Sequence, residues 1–255
     1  MEGVWEHNKN NESPMTIDDT PFHPLVSRGF VAGLTAGASR WRPGLESGCH
    51  HGEIFAPAGE ASGAGAALAF ALDQADPDHA ERPWLWVQDK AARRLGGRPY
   101  RPGLPAVLRH RLIHVAANTP EDALFALEEG LRCRDLAFVV GEIAGNPRAL
   151  GLTASRRLSL AAEKHGIPLW LIRLDAARDL GSARMRWEMR SAPSPRPRWN
   201  PAAPGVAAWE AELFRAHTLQ PGRWRLEEQE AGLSARTSTS SARADLATRT
   251  QARSA

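Results

Sequence analysis

Two cysteines in 255 residues, Cys49 and Cys133, are too few for a disulfide framework, and the chain is read as one kept in a reducing compartment. No apolar run approaches the roughly 18 residues of a membrane-spanning helix, so no membrane contact is expected. The first twenty residues carry Glu2, Glu6, Glu12, Asp18 and Asp19 and lack the apolar core of a secretion signal, which points to a cytoplasmic location. No serine stands in a G-x-S-x-G elbow and neither cysteine has a recognisable catalytic partner pattern, so hydrolase chemistry has no support. Cys49, His50 and His51 cluster, but consecutive strand residues point to opposite sides and no second Cys/His pair has zinc-site spacing; no metal is expected. There is no internal repeat.

What is present is a chain with 42% hydrophobic and 24% charged residues, enough to bury the core of one large globular domain. The net charge of +3 is unevenly spread. Residues 231–255 hold four arginines and one aspartate, and the first twenty residues hold Lys9 against five acids, which leaves +4 for the body between them. Residues 184–199, with Arg184, Arg186, Arg190, Arg196 and Arg198 against Glu188, carry as much as that whole body. The high basicity therefore reads as one basic arm and one basic tail rather than a broad nucleic-acid surface.

Residues 1–21 are polar without periodicity, and residues 231–255 are rich in Ser, Thr, Ala and Arg, so both are expected to be disordered. Residues 22–230 form the domain between them. Short apolar runs at 53–56, 84–88, 112–116, 136–140 and 169–172 predict strands of a parallel sheet. Helices are expected at 65–74, at 120–134 behind Thr119 as N-cap with Pro120 at the first position, and at 153–165 before Gly166 and Pro168. This alternation predicts a doubly wound α/β sheet with right-handed crossovers. Past residue 172, Met185, Trp187 and Met189 alternate with charged residues at period two, which suits an antiparallel strand extension. A helix around 207–216 and a strand at 224–227 are expected to close the domain.

The first strand–turn–helix unit invites comparison with a phosphate loop, G-x-x-x-x-G-K-[ST], in which backbone amides cradle phosphate, the lysine reaches the terminal phosphates and the hydroxyl holds magnesium. With Gly63 as the second glycine, Ala58 falls at the first, Ala64 at the lysine and Gly65 at the hydroxyl, while Gly59 lies within the loop. Three of the four required positions fail. Amides at the helix start can still attract an anion, but nothing there would neutralise charge on a transferred phosphoryl group. The expected second acid site falls on Gly141, with Glu142 one residue late; Asp89, after the 84–88 strand, fits either a water-orienting acid or a turn residue.

Several stretches carry a resemblance. They are the degenerate loop from His51 to Ala56 with the small residues after it; Glu121-Asp122-Ala123-Leu124-Phe125-Ala126-Leu127-Glu128-Glu129-Gly130-Leu131-Arg132; and the run from Leu152 to Glu163. Arg186-Trp187, Ser191 to Ser194, Pro197-Arg198-Trp199 and Pro221-Gly222-Arg223-Trp224-Arg225-Leu226-Glu227 complete the set. Over roughly residues 22 to 228 the chain resembles the ImuA family. The resemblance implies a RecA-like fold with a degenerate phosphate loop and no catalytic residues or cofactor. It also implies an accessory role in bacterial SOS-induced mutagenic translesion DNA synthesis, through contacts with ImuB, a polymerase homologue, with RecA, or with both. The Arg- and Gly-rich segments often found near the family's closing tryptophan are reduced here to Arg215, Arg223 and Arg225.

The 184–199 arm is the strongest expected contact surface. Its arginines interleave with Trp187 and Trp199 and can pair with phosphates and stack on unpaired bases. The other reading puts Met185, Trp187 and Met189 in the core, with the arginines solvating the far side of the strand or meeting an acidic protein. Arg156 and Arg157 open a helix, where cations are electrostatically misplaced unless an acid lies close. Glu128, Glu129 and Arg132 have the spacing of ordinary helix-surface pairs. Three functions follow as expectations: a non-catalytic interaction protein first, a RecA-type nucleotide- or single-stranded-DNA-dependent ATPase second, and single-stranded DNA binding without ATP third.

Overall fold

The structure is a computed structural model and describes residues 50–74, 79, 81–217, 219–229 and 232–238. Five helices and nine strands follow one another along these residues. The strands are β1 (His51–Ala56), β2 (Trp84–Gln88), β3 (Leu112–Ala116), β4 (Val139–Ala144), β5 (Leu169–Leu174), β6 (Met185–Ser191), β7 (Ala208–Ala216), β8 (Gly222–Gln229) and β9 (Gly232–Thr237). The helices are α1 (Ser62–Asp73), α2 (Lys90–Gly96), α3 (Ala106–Arg109), α4 (Pro120–Arg132) and α5 (Leu152–His165). All nine strands share one sheet in the order β3-β2-β4-β5-β1-β6-β7-β8-β9. It is parallel from β3 through β6 and antiparallel from β6 through β9.

Each central strand is buried along its whole length, which is why its sequence is apolar on both faces. The alternating side chains feed two cores. On one face α1 brings Phe70 and Ala67 onto Ile54, Trp170, Ile172 and Trp187; the Phe70 and Trp170 rings stack 4.6 Å apart. On the other, α4 and α5 cover Leu169, Leu171, Val139 and Ile143 with Leu127, Leu131 and Leu158. Thr119 caps α4 by accepting from the Asp122 amide at 3.1 Å, as its sequence predicts, and Pro120 stands at the helix start. Arg157 of α5 is ion-paired with Glu128 of α4, so one of the two arginines at that helix start finds its acid on the neighbouring helix. Glu129 pairs with Arg132 one turn on.

The architecture is thus a mostly parallel mixed sheet flanked by helices and extended by antiparallel strands. Several local expectations are corrected. Residues 208–216 are a strand, not a helix: Trp209, Ala211 and Leu213 are buried at period two, and pairing with β6 and β8 overrides the helix propensity of Ala, Glu and Leu. β6 is parallel to β1 as well as antiparallel to β7, so it joins the two halves of the sheet. β4 starts at Val139 rather than at 136 and runs on through Glu142, whose burial is compensated by hydrogen bonds. The expected disorder of residues 231–255 fails in its first part, because β9 pairs with β8 and buries Leu233. Residues 1–21 lie outside the described residues.

Candidate functional site

β1 ends at Ala56, and residues 57–61 turn into α1 without a side-chain cap at Ala61. The loop is held from β5. Asp175, directly after that strand, donates its backbone N–H to the Ala56 carbonyl (3.0 Å) and accepts the Ala58 N–H on Oδ1 (2.9 Å). It does so from the left-handed region, at φ 49°, a conformation that costs a non-glycine residue on the order of 1 kcal/mol and is tolerated where surrounding contacts demand it. A second carboxylate, that of Glu60, accepts the Ser191 N–H of β6 at 2.7 Å, a bond that holds it below the usual carboxylate range. The chain's own Asp175 thus occupies a loop amide where a phosphate loop presents its amides to an anion, and Glu60 adds a second negative charge within the loop.

The two glycines in the first turn of α1 are explained by packing. A Cβ at Gly63 would lie 2.8 Å from Ala56 Cβ and 2.9 Å from Ile172 Cγ2, so α1 approaches the sheet through that position, and one at Gly65 would press on the Trp209 ring at 3.2 Å. Gly59 is exposed with open space around it. Ala64 and Gly65 bring no amine and no hydroxyl.

The β2–β3 connection runs toward one edge and the β4–β5 connection toward the other, so the crevice at the carboxyl ends of β2 and β4 is the sheet's switch point, where doubly wound folds bind ligands. Here it is filled from within. Glu142 accepts from Gln88 Nε2 (2.8 Å) and Trp86 Nε1 (3.2 Å), and Gln88 also reaches the Gly97 carbonyl and the His114 ring, each at 2.9 Å. Burial pushes the Glu142 carboxyl up, against the pull of its two donors. Asp89 caps α2 by accepting the Ala92 N–H at 2.6 Å, a structural role for this acid. Gly141, at the metal-acid position, is closed in by Leu127 and Leu171, each 2.9 Å from where a Cβ would be.

The arginine–tryptophan arm divides into a buried half and an exposed half. Met185, Trp187 and Met189 lie in the core, Trp187 within 5.4 Å of the Phe70 ring and 5.9 Å of the Trp224 ring, so Trp187 is not a surface contact. Arg186 is buried as well, which corrects its place among the contact candidates. Its Nε donates to Glu53 of β1 at 2.5 Å, and Arg173 of β5 donates to the other Glu53 oxygen at 3.0 Å. Asp179 accepts from both arginines, at 3.0 Å from Arg173 Nη2 and 3.2 Å from Arg186 Nη2, which completes a two-by-two ion cluster over the Phe55 ring. Burial raises the Asp179 carboxyl, but the Arg173 and Asn146 bonds and both arginine charges outweigh it and hold it low. Arg184 pairs with Glu163 at 2.8 Å, and Arg190 lies 3.5 Å from Glu188. Arg196, Arg198 and Trp199 project from residues 192–206, with Trp199 82% exposed.

Glu53, Arg173 and Asp179 are members of this ion cluster that residue patterns alone do not single out. The available signal is a charge inside an otherwise apolar six-residue strand, HGEIFA and LWLIRL. His51 is buried, with Nδ1 2.7 Å from Ser159 Oγ, and among the described residues no three His, Cys, Asp or Glu gather into a metal-binding group; Cys49 lies outside them. Among the described residues no helix is long and apolar enough to cross a membrane.

The chain is similar to Protein ImuA. Two curated relatives of that name, from Caulobacter vibrioides strains NA1000/CB15N and ATCC 19089/CIP 103742/CB 15, are 36% identical to it over 140 residues. The match covers 51% of this chain and 54% of each ImuA protein, so the chain spans about half the length of the curated relatives it matches. No family model matches.

Proposed function

We propose that this protein is a non-catalytic, RecA-like accessory factor of damage-inducible mutagenesis, an ImuA-type protein that contributes contacts rather than chemistry to translesion synthesis. The observation that carries the reading is the state of the β1–α1 loop. It lacks lysine and hydroxyl at Ala64 and Gly65, and its Ala58 amide is engaged by the chain's own Asp175 carboxylate. An amide already paired with a carboxylate offers little to an incoming phosphate, and adjacent negative charge opposes it. The ImuA similarity supplies the biological setting, and the polymerase homologue ImuB and RecA are the partners proposed from it.

The exposed end of the arm, Arg196, Arg198 and Trp199, is the proposed protein contact, because an exposed tryptophan flanked by arginines has the composition of an interface hot spot. A tagged full-length chain recovered from DNA-damaged cells is expected to bring down a polymerase-like protein or RecA, and the triple variant R196E/R198E/W199A is expected to lose most of it. DNA-stimulated ATP hydrolysis by the purified protein would favour the ATPase reading and overturn this one, as would recovery of unrelated enzymes alone.

A further inference from the structure

A summed charge conceals local structure. From Lys90 to Arg111 the chain has one lysine and six arginines, Lys90, Arg93, Arg94, Arg98, Arg101, Arg109 and Arg111, and no acid. With Asp89 before it, this stretch links β2 to β3 through α2, a 3-10 turn at Arg101–Gly103 and α3, and it packs on one face of the sheet, where the Leu108 carbonyl accepts from Trp84 Nε1 at 2.9 Å. Elsewhere many cations are matched, as Arg173, Arg178, Arg184, Arg186, Arg190, Arg223 and Arg225 are by acids, whereas single residues such as Arg148, Arg156, Arg196 and Arg198 form no ion pair among the described residues. Among the described residues none of the seven in the link forms an ion pair. Asp89, just before them, is turned inward onto the Ala92 amide, and Glu121 and Asp122, just after them, stand on the first turn of α4.

Some of these cations are also grouped in space. Arg98, Arg93 and Arg101 all act electrostatically on His114 of β3, which burial and their charges together hold below its ordinary value. Lys90, Arg94 and Leu95 line an open cleft of about 370 Å³ together with Asn118, Pro120 and Asp89, the last with its carboxylate accepting the Ala92 N–H. Three of the arginines are fastened to backbone carbonyls: Arg101 to Leu112 (3.0 Å), Arg109 to Leu104 (3.2 Å) and Arg111 to Val107. Such anchoring lowers the ordering cost of a second contact. Among the charges stand Tyr100, 73% exposed, and the exposed side chains of Leu95 and Val107.

We propose that the β2–β3 link is a binding surface for single-stranded nucleic acid, with Lys90, Arg94 and Arg98 on the phosphates and Tyr100 stacked on a base. An array of unpaired cations with no interspersed acid is the electrostatic counterpart of a phosphate backbone, and an exposed aromatic ring within it offers what unpaired bases need. An acidic protein would use the charge, whereas the pairing of a phosphate array with a stacking ring is what an unpaired nucleotide strand uses in full. The proposal does not rest on the mutagenesis reading, and the surface lies on the opposite half of the sheet from the arm.

The test is fluorescence anisotropy of a labelled thirty-residue oligo-dT with the full-length protein across a salt series. Binding is expected to weaken linearly in log–log form with salt. The variant K90E/R94E/R98E is expected to flatten the slope by about 0.7 for each phosphate it no longer neutralises. Tyr100→Ala is expected to weaken binding on the order of 5- to 100-fold with the slope nearly unchanged. All four side chains are exposed, and K90Q/R94Q/R98Q, with its melting temperature measured beside wild type, guards against a folding artefact. Absence of binding by wild type, wild-type affinity in both triple variants, or displacement of the oligonucleotide by polyglutamate at equal charge would each overturn the proposal. The last outcome would point to an acidic protein instead. Equal affinity for duplex, with Tyr100→Ala silent, would remove the single-strand claim.

Discussion

Glu53 holds two arginines that arrive from strands on either side of its own, and all three side chains are out of water. Such a cluster is weak evidence of net stabilisation, since desolvating three of its four charges offsets most of their attraction, but removing one member leaves an uncompensated buried charge. Glu53→Ala is therefore expected to cost about 3–5 kcal/mol, read as a drop in the urea midpoint; a change below about 1 kcal/mol would mean that Asp179 alone satisfies both arginines. His51 adds a pH dependence. Burial lowers it from 6.5 to about 4, so between those values the unfolded chain takes a proton that the folded chain refuses. Stability from this residue is full above about pH 6.5 and declines as pH falls toward 4, by a loss on the order of 3 kcal/mol. His51→Asn, whose amide can retain the Ser159 bond, is expected to flatten the stability curve over that window; an unchanged slope would assign it to other groups.

At the scale of elements, the sequence is most legible where one signal dominates. The central strands are apolar because both faces are covered, and α4 announces itself with Thr119 and Pro120. β7 reads as a helix because AWEAELFRA satisfies both periods, and the choice falls to its neighbours, β6 and β8, which supply ladder partners on both edges. β9 is hidden because a single buried apolar residue, Leu233, is too little to mark a strand, yet an open β8 edge makes pairing favourable. Leu233→Ala is expected to cost about 2 kcal/mol, checked by denaturant unfolding. No loss of stability would show that β9 adds edge pairing without core.

For the whole molecule, the loop and the filled switch point lead to the expectation of indifference to nucleotide. Magnesium–ATP at millimolar concentration is expected to leave the melting temperature unchanged, since a ligand stabilises only in proportion to its binding of the folded state. Restoring the motif by Ala64→Lys and Gly65→Thr is expected to produce no hydrolysis, because Asp175 still holds Ala58 and the acid positions remain Gly141 and a buried Glu142. A phosphate-release assay checks this, and turnover in the double variant would show that lysine and hydroxyl were all the loop lacked. The sequence by itself determined the α/β alternation, the apolar central strands and the missing lysine, because these depend on residue type and spacing along the chain. Tertiary structure decided which charges are available: it buried Arg186 against Glu53, turned Asp175 onto the loop and the loop's own Glu60 onto β6, and left the 90–111 cations without ion pairs. Charge is a sum along a sequence, whereas pairing and burial are set by strands that meet more than a hundred residues apart.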